Sequence, residues 1–217
     1  MSGLVLALSV AAGLSYMAGW DWEISHKALL AWKGAGVGLL AVYAAMRARG
    51  PDGWLLAAVM ACGALGDVLL DVGTTVGALA FLAGHLLAIV LYLRNRRRRL
   101  TLSQGLLAIV LVPATVTIAY LLPDDRAGPP LGALYALGLA LMAACAWISR
   151  FPRLRTGLGA LLFVVSDLLI FAREGPLHGQ AWLGFGVWGL YYVGQLLIVL
   201  GVTQALTIRS PAATTRS

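Results

Sequence analysis

Apolar residues run along this chain in long blocks, broken by short polar stretches. A helix needs about 20 apolar residues to cross the hydrocarbon core of a bilayer, and the blocks predict eight such helices. Their expected bounds are Gly3 to Gly19, Ala28 to Met46, Trp54 to Asp71, Val76 to Leu93, Gly105 to Leu122, Leu131 to Ser149, Gly157 to Ala172 and Ala181 to Leu206. The breaks carry helix-ending chemistry: Gly50-Pro51-Asp52-Gly53, Pro123-Asp124-Asp125-Arg126 with Gly128-Pro129-Pro130, and Glu174-Gly175-Pro176. The first block has no basic segment before it, so it reads as a retained span rather than a cleaved leader. The expected fold is an all-α membrane protein, with one polytopic domain over residues 1–208 and a short polar tail over 209–217.

Composition agrees with that class. Of 217 residues, 60% are hydrophobic and 12% charged, against about 45–50% and about 25% in globular proteins. The net charge of +7 does not point to nucleic acid, because the 14 arginines and Lys27 fall between apolar blocks rather than along a solvated face. They set topology instead; Lys33 lies within the second block and counts on neither side. Arg47, Arg49, Arg94, Arg96 to Arg99, Arg150, Arg153, Arg155, Arg209 and Arg216 fall on one side, 12 in all, against Lys27, Arg126 and Arg173 on the other. The positive-inside rule therefore predicts that both termini are cytoplasmic. Arg94-Asn95-Arg96-Arg97-Arg98-Arg99 can also meet anionic headgroups. Cys62 and Cys145 lie within apolar blocks without metal-type spacing and read as packing residues.

Against this background a carboxylate in mid-span stands out. An ionised Asp at the bilayer centre costs roughly 2.5–3.5 kcal/mol on insertion scales, so such a residue faces the bundle interior, pairs, or does chemistry. Asp67 and Asp167 occupy similar settings, Gly66-Asp67-Val68-Leu69 and Ser166-Asp167-Leu168-Leu169, 100 residues apart. The next helices also correspond, with Gly84-His85-Leu86-Leu87 against Gly194-Gln195-Leu196-Leu197. Four spans separate the copies, which predicts a parallel 4+4 repeat. Helical rise puts Asp67 about 20 Å and Asp167 about 15 Å from the cytoplasmic ends of their helices. Lys33 and His85 reach a comparable depth from the other side.

Two carboxyl groups in one partly dry site can divide acid and base roles between them. The alternative is structural: Lys33 with one Asp as a buried ion pair, and His85 donating to a backbone carbonyl. Asp71, one turn beyond Asp67, is expected at the rim on the same face. Ser166 and Gln195 read as interhelical hydrogen-bonding groups. Trp182, Trp188, Tyr191 and Tyr192 include interface anchors, and Trp188 and the tyrosines can also line an apolar pocket. Gly34-Ala35-Gly36-Val37-Gly38 follows no strand and suits close helix packing, not a dinucleotide loop. No Ser-His-Asp, Cys-His or metal-type histidine spacing is legible.

Taken in order on eight spans, these motifs resemble the YhhN family of membrane lysoplasmalogenases. The resemblance rests on Gly66-Asp67 followed by Phe81-Leu82-Ala83-Gly84-His85. It rests equally on Gly159 to Asp167 followed by Tyr191-Tyr192-Val193-Gly194-Gln195, and it runs from Lys33 to about Gly201. Where the family often has Lys-Pro, this chain has Lys33-Gly34. The resemblance implies cleavage of the vinyl-ether bond of a lysophospholipid substrate in a bacterial-type cell membrane, with no cofactor or metal. Asp67 and Asp167 would be the catalytic pair, and Lys33, His85, Asp71, Ser166, Tyr191, Tyr192 and Gln195 would support or bind substrate. Three other readings remain at this point: an intramembrane aspartyl protease, whose usual box would need Gly where Ala64 stands, a proton-coupled transporter, and a non-catalytic lipid-binding protein.

Overall fold

The computed structural model describes residues 1–125 and 130–209. Arg126 and Gly128-Pro129 of the expected break, and the expected tail beyond Arg209 with Arg216, lie outside the described residues. Among the described residues, eight helices are long and apolar enough to cross a membrane and no strand occurs; one isolated bridge pairs Arg96 with Ser149. The chain is an integral multi-pass membrane protein. Its helices are α1 (Ser2–Ser15), α2 (His26–Arg47), α3 (Pro51–Leu69), α4 (Thr74–Arg94), α5 (Leu102–Leu121), α6 (Pro130–Ile148), α7 (Leu158–Arg173) and α8 (Leu183–Arg209). A tight 3-10 segment, Tyr16–Asp21, prolongs α1, and a single π-type turn, Arg153–Gly157, opens α7.

The helix ends follow their local chemistry. Ser25 caps α2 by accepting from the Ala28 N–H at 3.3 Å. Gly50 turns the chain at φ 87°, a conformation that favours glycine, and Pro51 then opens α3 at a position where its missing N–H costs no helical bond. At the start of α5 the Thr101 N–H donates to Gln104 Oε1 at 3.1 Å. Pro113 sits inside α5 without ending it, as membrane helices tolerate.

Short connections make successive helices alternate in direction, so the arginine-rich turns gather at one end of the bundle. Part of the Arg94 to Arg99 run is built into a clasp there. The Arg94 guanidinium donates to Asp52 Oδ1 at 2.7 Å, Asn95 donates to Asp52 Oδ2 at 2.8 Å, and Arg97 donates to the Ser149 carbonyl at 2.7 Å. The run thus ties the α2–α3, α4–α5 and α6–α7 turns together.

Small residues govern the contact of α7 with α8. A Cβ on Gly159 of α7 would stand 2.6 Å from the Gly194 carbonyl oxygen of α8, and one on Gly194 would stand 2.7 Å from the Gly159 carbonyl oxygen. Only glycine at both positions allows that approach. The core that results is continuous, running from Val37 and Leu40 on α2 through Met60 on α3 and Leu91 on α4 to Val199 on α8. Its two halves are not packed alike: α2 lies against α3 along its length, whereas α6 packs chiefly on α4 and α5 and less on α7.

Candidate functional site

Asp67 on α3 and Asp167 on α7 are both buried, at 2% and 5% exposure. Both nevertheless reach one cavity of about 620 Å³, within the range of small-molecule sites, about 300–1,000 Å³. Its rim is made by Asp71, Thr74, Arg173 and Glu174, all at turns opposite the arginine-rich end. The cavity therefore opens at the lysine- and arginine-poor end and reaches inward to the two carboxyls. Phe81, Phe163 and Tyr191 pack edge to face beside them, with ring centroids 5.1–6.1 Å apart.

Each carboxyl is held by a tyrosine from another helix. Tyr191 of α8 donates its hydroxyl proton to Asp67 Oδ2 at 2.8 Å, and Tyr135 of α6 donates to Asp167 Oδ2 at 2.5 Å. The tyrosines restrict how the carboxyls turn and take up one oxygen of each. Lys33 also lines the cavity, but it does not form the carboxylate ion pair expected as the structural alternative. Its Nζ donates to the backbone carbonyl of Asp67 at 3.0 Å. That carbonyl is free because the Asp71 N–H goes to Val68 instead. Lysine thus caps the C-terminal turn of α3, where a cation also suits the helix dipole. α3 thus ends at Leu69, short of the expected Asp71, with Lys33 on its last turn.

The structure separates the remaining sequence candidates. Asp71 stands at the rim as expected, paired with His26. Ser166 donates to the Val187 carbonyl at 2.8 Å, tying α7 to α8. His85, buried at 3% exposure, does not line the cavity. Its Nε2 lies 3.4 Å from the Tyr135 hydroxyl, and its ring packs edge-on against Phe163. Gln195 likewise stands behind Tyr191 rather than on the wall, and its buried Oε1 has no hydrogen-bond partner among the described residues. Each Asp therefore contacts a tyrosine that is backed in turn by the residue after a glycine, His85 in one case and Gln195 in the other.

Tyr192 is a correction. It does not line the cavity but turns toward α1, where its hydroxyl meets Ser9 Oγ at 2.9 Å and its ring stacks on Trp188. Neighbours on a helix point about 100° apart, so Tyr191 and Tyr192 cannot share the site. Tyr135 is the residue that sequence reading missed. The available signal was its standing as the one hydroxyl side chain in an α6 otherwise built from Leu, Ala, Gly and Met, with Trp147 and Cys145 near the end. Among the described residues, no three His, Cys, Asp or Glu side chains gather as a metal-ligand set.

No curated protein and no solved structure matches the chain. The profile of the YhhN family matches residues 29–202, from the start of α2 into α8, and so takes in Lys33, both aspartates and both tyrosines. The protein belongs to the YhhN family.

Proposed function

We propose that this chain is a lysoplasmalogenase-like hydrolase that cleaves the vinyl-ether bond of a lysophospholipid to a fatty aldehyde and a glycerophospho headgroup. The observation that carries the reading is the pair of tyrosine-held carboxyls opening into one cavity inside a membrane-spanning bundle. A vinyl ether, R–O–CH=CH–R′, is hydrolysed when an acid protonates the carbon remote from oxygen and leaves an oxocarbenium ion. Water adds to the carbon next to oxygen, giving a hemiacetal. The hemiacetal collapses to the aldehyde R′CH₂CHO and the glycerol hydroxyl, so one water is consumed and no other co-reactant is needed. A protonated carboxyl supplies the first proton. A carboxylate stabilises the cation and takes a proton from the attacking water, as paired carboxyls do at sugar oxocarbenium centres.

Lys33 Nζ stands beside Asp67, donating to its backbone carbonyl at 3.0 Å, and Tyr135 is the partner of Asp167. Asp67 and Asp167 divide the acid and base roles between them. Arg173 at the rim and Lys33 deeper in the cavity are the cations available to the substrate phosphate. The corresponding boxes on α3–α4 and α7–α8 fit a parallel repeat, with α3 and α7 running in one direction around the site.

Mass spectrometry of purified protein with a lysoplasmalogen and its saturated ether analogue tests the reaction. The vinyl ether should yield aldehyde and the saturated ether should survive, since it has no double bond to protonate. In D₂O the promptly trapped aldehyde should carry one deuterium on its α-carbon. Unchanged vinyl-ether substrate under conditions where the lipid binds would sink the hydrolase reading and favour carriage of lipid or protons.

The positive-inside rule, applied to the arginine-rich end, supports a topology with both termini cytoplasmic and the cavity mouth facing away from that side. Reporters fused to each terminus should both read cytoplasmic. An outward C-terminal reporter on folded protein would reverse the access side.

A further inference from the structure

A second concavity, of about 240 Å³, lies at the arginine-rich end, across the bundle from the carboxyl cavity. It is formed where the last turns of α2 and α8 meet the π-type turn before α7, and Tyr43, Arg47, Arg155, Gln204 and Thr207 face it. Gly201 brings the turn and α8 together. A Cβ there would stand 3.0 Å from the Arg155 Cβ and 3.1 Å from the Thr156 nitrogen, so this approach needs glycine and sets Arg155 over the groove. π-turns inside helices recur at functional positions.

Among the described residues, no acidic side chain lines the groove. Arg47 donates to Thr207 Oγ1 at 3.3 Å, and Arg155 donates to the Gln204 side-chain carbonyl. Both acceptors are neutral, and neither arginine is ion-paired with a described residue. Each guanidinium carries five N–H donors, so most of their capacity is unspent. Tyr43 supplies an independent sign. It is buried at 8% exposure and lines the groove, while its hydroxyl, which bonds to no other described residue, is open to the groove. Two unneutralised forks and an unused hydroxyl converge on one small concavity.

We propose that this groove binds a phosphate oxyanion, held by the Arg47 and Arg155 guanidinium groups and the Tyr43 hydroxyl. The planar fork of arginine matches phosphate geometry and gives charge-assisted bonds. The ligand carrying that phosphate is either an anionic lipid headgroup or a soluble phosphate. The position at the ends of membrane-spanning helices suits the first, because basic pockets between such helices receive headgroups. The site is independent of the chemistry at Asp67 and Asp167.

The test is native mass spectrometry of the full chain in mixed micelles of dioleoyl phosphatidylglycerol and dioleoyl phosphatidylcholine, with and without millimolar inorganic phosphate. Wild-type protein should retain phosphatidylglycerol selectively. Joint Arg47→Gln and Arg155→Gln substitution should weaken retention by about tenfold or more, the loss expected when charge-assisted hydrogen bonds are removed. Tyr43→Phe leaves every charge in place and should weaken it several-fold. Joint Arg98→Gln and Arg99→Gln substitution removes the same charge from the same end, in the run that can also meet headgroups, and should weaken retention far less. Displacement of phosphatidylglycerol by inorganic phosphate would show that the site accepts soluble phosphate, and retention despite it would assign the site to lipid. Equal losses in the two double-arginine variants would overturn the proposal in favour of diffuse surface charge. So would wild-type retention by the Arg47/Arg155 variant, or no selectivity for phosphatidylglycerol together with no phosphate binding.

Discussion

Asp67→Asn and Asp167→Asn are each expected to lower vinyl-ether cleavage by roughly 10²–10⁴-fold, the usual scale for losing general acid or base assistance. An amide is nearly isosteric with a carboxyl, and its oxygen can still accept from Tyr191 or Tyr135, which donate to the two aspartates at 2.8 and 2.5 Å. Fold and lipid binding should therefore persist while the chemistry stops. The amide neither donates a carboxylic proton nor carries the negative charge that steadies an oxocarbenium ion. The double variant should be little worse than either single one, because groups acting as a unit do not contribute additively. Aldehyde release measured beside thermal unfolding and lipid retention separates chemistry from stability. Wild-type cleavage by either variant would remove that aspartate from the mechanism.

Much of the fold was legible because the bilayer imposes a single requirement, that each crossing be apolar and satisfy its own backbone. Eight blocks accordingly became eight helices. The ends were harder, since they depend on contacts between distant residues. The third span was expected to run to Asp71, but the helix stops at Leu69, with Lys33, 34 positions before Asp67, on the Asp67 carbonyl. The aspartates were visible because a mid-span carboxyl is costly wherever it stands. Tyr135 was not, because a tyrosine in an apolar block reads as one more aromatic until α6 is placed beside α7. Tyr192 shows the converse error: nearness in sequence to Tyr191 suggested a shared role, and the turn of the helix sent it to Ser9 on α1. His85 and Gln195 were found by their motif, but their place behind the tyrosines is a fact of packing.

Tyr135→Phe and Tyr191→Phe should each reduce turnover by up to about 10²-fold, the scale on which a small misplacement of catalytic groups is felt. Both rings remain in place after the change. Tyr191 packs edge to face on Phe81 and Phe163, and Tyr135 packs on His85, so phenylalanine preserves those contacts. What disappears is the hydroxyl that fixes one oxygen of a buried carboxyl. The carboxyl then turns more freely, and its buried Oδ2 loses a donor. Because neither hydroxyl is assigned to substrate, the loss should fall on kcat with KM little changed. The two variants should also differ in what they strand: Tyr135→Phe separates His85 from Asp167, whereas Tyr191→Phe separates Gln195 from Asp67. Adding Tyr191→Phe to Asp67→Asn should cost little further, since the tyrosine acts through that aspartate, and the same should hold for Tyr135→Phe on Asp167→Asn. Turnover near wild type in both single variants would mean that the hydroxyls serve the bundle and not the reaction. A large rise in KM with kcat intact would instead place them against the lipid.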